Sequence, residues 1–162
     1  MRNPLEVSPF SPAELLAEAS SRDEREWIPA SIEGVWLRPL LFDTVAGAWA
    51  NVTRIAREGF ISRHAHPCPV HAYVLSGSWK YAERDWTAKA GAYLFEPPGD
   101  IHTLIGLPGG SETLFWIGGA LIELDEEGRT LGHSDVFTRI EQAADHFAAA
   151  GLGRDYVKQF IR

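Results

Sequence analysis

The chain has 162 residues, 45% of them hydrophobic and 23% charged. That is enough for one globular domain with a full core, and it excludes a disordered, collagenous or disulfide-built chain. A net charge of −7 without a Lys/Arg cluster leaves no electrostatic footprint for a phosphate backbone, so nucleic acid is not an expected partner and a small molecule is.

The single cysteine forms no internal disulfide, and MRNPLEVSPFSPAELL lacks the pattern of a signal peptide. No apolar run reaches the ~18 residues of a membrane span. A cytoplasmic protein without membrane contact is expected.

In chain order, Ser11-Pro12-Ala13-Glu14 reads as a helix start, with Ser11 as cap, Pro12 in the first helical position and Glu14 completing a capping box. A short helix over residues 12–20 is predicted. From Glu33 the texture changes to short runs rich in β-branched and aromatic residues, broken by Gly and Pro. The runs GVWLRPLLF, AWANVTRIA, FISRHAH, HAYVLSG, WKYAE, AYLFEP, IHTLIGL, ETLFWIGG and ALIELD recur without intervening helices. Such spacing predicts an antiparallel barrel or jelly roll.

Ser76-Gly77 reads as the two-residue turn of a hairpin, which would pair residue 70 with residue 83. After Asp125 a polar connection leads to a second helix in TRIEQAADHFAAAG, with Thr138 and Glu141 as its capping box and Gly151 as its stop. The expectation is an all-β single domain over residues 1–162, with its barrel core at about 33–125 and a helical C-terminal segment at about 138–162.

Residues 64 to 71, HAHPCPVH, hold three histidines and the only cysteine. Residues two apart on a strand face the same way, so His64 and His66 project together at a separation suited to one ion. Downstream, GAYLFEPPGDIH leads through Pro97-Pro98-Gly99, a tight turn, to His102. Two histidines from one strand and one from another make three neutral ligands with open positions left over, a catalytic rather than a closed structural pattern.

These residues resemble the two motifs of the cupins. The second motif is a Gly, five residues, Pro-x-Gly, two residues and His, and it fits Gly91, Pro97, Gly99 and His102; its closing Asn is Gly106 here. In the first motif Gly59 stands one residue too close to His64, and the usual Glu falls on Val70 or His71, depending on the direction of counting. The resemblance implies a double-stranded β-helix (jelly-roll) barrel with short N- and C-terminal helices, and His64, His66 and His102 as metal ligands.

For the missing carboxylate two candidates stand open. His71 is either a fourth ligand, a group that orients one, or a partner of the backbone. Glu83, facing Val70 across the supposed hairpin, either reaches the site or is a solvated residue at a strand end. Glu96, just before Pro97, is a candidate for the outer surroundings of the metal. Cys68 reads as a loop or packing residue, and His133 and His146 as structural or solvent-facing. Trp79, Trp86 and Trp116 lie close enough to the strands for one of them to wall a pocket.

The flanking segments RHAHPCPVHAYVLSGSWKYAERDW and EPPGDIHTL are similar to the 2,4'-dihydroxyacetophenone dioxygenase branch of cupins, close to the ChrR-like group. That likeness implies mononuclear Fe(II), with O2 and a small, aromatic hydroxy-ketone or diketone as substrates, and cleavage of a C–C bond. Zn(II) and Ni(II) are alternatives, because imidazole suits them equally. A zinc-binding sensor or regulatory cupin and a metal-dependent isomerase or epimerase are the rival functions. A homodimer is expected, with the strand in SIEGVWLRPL covering an edge.

Overall fold

The computed structural model describes residues 8–162. Ten strands follow in chain order: β1 (Ile28–Pro29), β2 (Val35–Asp43), β3 (Ala48–Ile55), β4 (Gly59–Ala65), β5 (Val70–Tyr81), β6 (Ala88–Lys89), β7 (Tyr93–Glu96), β8 (Ile101–Ile117), β9 (Leu121–Leu124) and β10 (Thr130–Ser134). All strand pairs are antiparallel, and the path β1-β2-β3-β8-β4-β9-β10 is joined by β5, which pairs β6, β7 and β8. This is the expected curled, mostly β architecture.

Two long strands organise it. The first half of β8 lies between β4 and the end of β5, and its second half lies between β3 and the start of β5. The apolar runs on either side of Ser76-Gly77, and on either side of Gly109-Gly110, are therefore halves of single strands, not arms of hairpins. Gly77, Gly109 and Gly110 all have positive φ, and the register between β5 and β8 shifts beside Gly77. The glycines act as bulges that bend a continuous strand from one wall of the barrel to the other. A side chain at Gly77 would collide with the carbonyl of Gly110.

Inside the barrel, Val35, Ile55, Ile61, Val74, Trp79, Tyr81 and Leu104 form one buried cluster. A second cluster seats the C-terminal helix α1 (Val136–Ala149): Val136, Ala143, Ala144 and Phe147 pack on Ile28, Phe42, Trp49, Val70 and Ile117. Burying such side chains stabilises by roughly 1.5–3 kcal/mol for each large one. The helix starts two residues before the expected Thr138, because Asp135 is the cap. Thr138 N donates to Asp135 Oδ1 at 2.8 Å, and Asp135 N donates to Thr138 Oγ1 at 2.7 Å. Gly151, at φ 80°, ends it as expected, and a 3-10 turn over Arg154–Phe160 adds Val157 and Phe160 to the cluster.

The predicted helix over residues 12–20 does not form. Leu16 is 97% exposed, while Ala17 and Ala19 rest on the core. Arg162 holds the segment by donating to the carbonyls of Ala13 at 2.7 Å and Glu14 at 3.0 Å. Two turns of helix cannot offset the cost of nucleation without a packed face, so capping residues alone do not decide the structure. Among the described residues, the only helical element before the strands is a 3-10 turn at Glu24–Glu26. Among the described residues, no helix is long and apolar enough to cross a membrane.

Replacing Gly77 by Ala forces both the left-handed conformation and the Gly110 contact. We expect Gly77→Ala to cost more than about 3 kcal/mol in urea denaturation. Gly128→Ala, at φ 81° with open space around it, is expected to cost about 1–2 kcal/mol.

Candidate metal centre

His64 is the last inward-facing residue of β4, and His102 is the second residue of β8. The two are direct cross-strand partners. His66 follows just after β4, and the turn before β8 is tied to it: Gly99 N donates to the His66 carbonyl at 2.7 Å. The three rings are buried, with His102 fully so, and their ligand atoms all lie within 4.8 Å of one another. His64 Nε2 and His102 Nε2 are 3.1 Å apart.

The far sides of two of the rings, those of His64 and His102, are held by the chain, whereas His66 Nδ1 is buried without a hydrogen-bond partner. With Nε2 turned to the triad, His64 Nδ1 donates to Ser62 Oγ at 3.0 Å and His102 Nδ1 to Asp100 Oδ2 at 3.3 Å. Arg84 Nη2 in turn grips both Asp100 oxygens at 2.7 and 2.8 Å. This carboxylate–histidine arrangement fixes tautomer and ring direction and raises the basicity of the ligand nitrogen. Tyr81 stacks on His102, with ring centroids 3.8 Å apart and an interplanar angle of 13°.

A fourth donor stands beside the triad. Glu96, at the end of β7, is 2% exposed, and its Oε2 lies 3.5 Å from His102 Nε2 and 3.7 Å from His66 Nε2. Tyr81 donates its hydroxyl to Glu96 Oε1 at 2.5 Å, whereas Oε2 is buried with no hydrogen-bond partner. Donors around one ion at about 2.1 Å sit roughly 3.0–3.4 Å from each other. The spacing of 3.1, 3.5 and 3.7 Å here is close to that of a ligand set. An orphaned carboxylate oxygen and three neutral imidazoles therefore suit a divalent cation.

Burial sets the proton balance. It holds His64 well below the ordinary histidine range, helped by repulsion from His102 and His66. It takes His66 down to about 4, with His102 adding to the effect. His102 is also lowered by burial, against the pull of Asp100. Glu96 moves the opposite way, up to about 7, because burial outweighs the Tyr81 hydrogen bond and the Asp100 charge adds to it. The imidazoles are thus ready as ligands near neutral pH without first losing a proton.

The structure brings the three predicted histidines together, but neither candidate for the missing carboxylate reaches them. His71 lies on the outer face of β5, its Nδ1 2.5 Å from the Tyr93 hydroxyl and its ring beside Phe95 and Trp116. Glu83 lies past the end of β5, where Thr103 N donates to it at 2.9 Å, Thr103 Oγ1 at 2.7 Å and Arg63 Nη1 at 3.2 Å. Because β5 runs straight through Gly77, the residue opposite Val70 is Glu96 on β7. A carboxylate does arrive across from Val70, on a different strand from the one the hairpin reading implied. Asp100, Arg84 and Tyr81 carry no motif of their own. Asp100, two residues before His102, is the one that strand alternation points to.

Against this centre lies a cavity of about 150 Å³ that is lined by His64, His66 and Tyr81 and walled by apolar residues including Ile61, Leu104 and Phe115. Its tryptophan is Trp49; Trp79 packs behind it, fully buried, with Nε1 donating to Thr113 Oγ1 at 2.9 Å. Cys68 is a free loop cysteine beside Gly119.

The Glu96 carboxyl ionises near 4.5 in the unfolded chain and at about 7 in the metal-free fold. A raised value contributes stability that is present below 4.5 and lost as pH rises through 7. Glu96→Gln removes this loss. In urea denaturation of metal-free protein, the variant should gain on the wild type between pH 4.5 and 7, by roughly 3 kcal/mol in all. A difference that does not change with pH would contradict the assignment.

The sequence profile of the ChrR cupin-like domain matches residues 17–122. No curated protein matches the chain. Among solved structures, an RmlC-like cupin from Ralstonia eutropha is 25% identical, with 77% of this chain and 83% of that chain covered and a TM-score of 0.74. A second cupin-fold protein from the same organism is 28% identical, with 74% and 76% covered and a TM-score of 0.70. An acetylacetone dioxygenase from Acinetobacter johnsonii is 16% identical, with 86% and 99% covered and a TM-score of 0.71, a likeness of fold alone. The strand order, the three inward histidines and the profile match agree: the chain belongs to the ChrR cupin-like domain family.

Proposed function

We propose that this protein is a mononuclear non-haem Fe(II) dioxygenase that uses O2 to cleave a C–C bond in a small hydroxy-ketone or diketone. The observation that carries the reading is the cluster of three neutral, buried imidazoles, two of which, His64 and His66, line a mainly apolar cavity. His64, His66 and His102 would hold the ion, with Glu96 as a fourth donor. When bound, Fe(II) supplies a redox-active position at which an electron-rich ketone and O2 can meet.

The chain's own residues do the rest. Ile61, Leu104 and Phe115 give the cavity apolar walls, which would strengthen the electrostatic interactions of a ligand that displaces water there. The Arg84–Asp100 pair orients His102. Tyr81 donates to Glu96 Oε1, which leaves Oε2 to turn toward the ion or to hold a proton while the site is empty. The acetylacetone dioxygenase with the same fold is named for a small diketone and supports the reading at the level of fold.

A second reading has one observation in its favour. With Glu96 the donors number four, which suits a closed tetrahedral zinc site, and a zinc-binding regulatory cupin would fit that set. Metal content after anaerobic purification separates the two. Stoichiometric iron, with O2 uptake on addition of an aryl hydroxymethyl ketone, is the expected result. His102→Ala should abolish uptake and weaken iron binding by at least about 100-fold. Tightly held zinc and no uptake after iron reconstitution would favour the regulatory reading.

A further inference from the structure

We infer that Arg139 is an anion-recognition residue of the cavity, and that the ligand taken up beside the histidines carries a carboxylate. Arg139 comes from the first turns of α1, outside the barrel strands, and reaches into the cavity that His64 and His66 line. With Asn51 it also borders a smaller void between the helix and β2.

Its bonding is incomplete. Nε is buried with no hydrogen-bond partner, and Nη1 donates to Gln142 Oε1, a neutral acceptor, at 2.8 Å. Other arginines of this fold that leave the surface are matched with carboxylates: Arg38 with Glu26, Arg54 with Glu112, Arg63 with Glu83 and Arg84 with Asp100. Arg139 has no such partner among the described residues. Glu123 lies on the same cavity and its charge favours the charged guanidinium, but the two form no ion pair.

A guanidinium does not lose its proton in a protein, and a charge in an apolar enclosure needs a counter-ion. Glu123 supplies counter-charge only at a distance, and a ligand carboxylate would supply the direct partner that Arg139 lacks. The neighbouring polar groups suit it: Asn51 and Thr53 on β3 are buried on the cavity wall, and Asn51 Nδ2 donates to Thr53 Oγ1 at 2.9 Å, which leaves the threonine hydroxyl proton for another acceptor. The planar fork of arginine matches a carboxylate. A phosphate dianion fits less well, since a single guanidinium faces it and Glu123 would repel its two charges more strongly than the one charge of a carboxylate. On the reading of the histidines as the reacting end, the substrate is then a keto or hydroxy-ketone acid, its carboxylate held by Arg139.

The test compares 3-phenylpropanoate with 3-phenylpropanamide, two probes of the same shape and different charge. Binding is followed by calorimetry and tryptophan fluorescence on as-purified protein, with metal content measured on the same samples. Wild type should bind the acid about tenfold or more tightly than the amide. Arg139→Met should remove that preference with amide binding unchanged, and Arg139→Lys should retain part of it.

The preference should survive in His102→Ala, which distinguishes capture by Arg139 from capture by a bound ion. Equal binding of the two probes by wild type, or an unchanged preference in Arg139→Met, overturns the inference. Should Arg139→Met not fold, the wild-type comparison and Arg139→Lys still decide it. Loss of the dioxygenase reading through absent O2 uptake leaves this outcome untouched, because no turnover is measured.

Discussion

Four donor groups are withdrawn from water where β4, β7 and β8 converge, and the rest of the site follows from that burial. Three imidazoles respond by staying neutral and one carboxylate by resisting ionisation. Both responses have the same origin, since low dielectric penalises whichever form is charged. Among the described residues, no lysine or arginine enters the cluster to balance Glu96, and its Oε2 is left without a hydrogen-bond partner. A divalent cation would relieve both conditions at once, by accepting the imidazole lone pairs and by supplying the carboxylate with a counter-charge. The surrounding Tyr81, Asp100 and Arg84 hold the donors in place on their far sides.

That convergence depends on two bent strands. β5 and β8 each run along one wall of the barrel and, after a glycine bulge, along the other. Their bends lie together at Gly77 and Gly110, where two backbones approach too closely for any side chain. This brings β4 against the beginning of β8, so that His64 meets His102, and it opens the interior that becomes the cavity. The helix α1 packs its apolar residues on Ile28, Phe42, Trp49, Val70 and Ile117 and through that packing delivers Arg139 to the cavity. One element thus contributes both burial and a charge to the interior.

Strand alternation explains which polar residues joined the site and which did not. His64, His66 and His102 share the inner face. His71 stands among Tyr93, Phe95 and Trp116 on the outer face of β5, one residue from the inward Val70. A slip of one residue in register would exchange the two. Glu83 is used on the outside as well, where Thr103 alternates with the inward His102. The carboxylate function moved across the β5–β7 ladder, from the position of Val70 to that of Glu96.

The sequence by itself determined the local matters: the β-rich texture, most strand positions, the Pro97-Pro98-Gly99 turn, the C-terminal helix and the candidate histidines. Each of these rests on alternation, turn chemistry or spacing within a few residues, and such signals are readable along the chain. Tertiary structure decided the rest. Whether Ser76-Gly77 turns or bends depends on Gly110 lying opposite, 33 residues away in sequence. Whether residues 12–20 coil depends on a core that accepts only Ala17 and Ala19. Glu96 and Arg139 acquire their importance from burial, which is a property of what packs around a residue and has no local sequence signature.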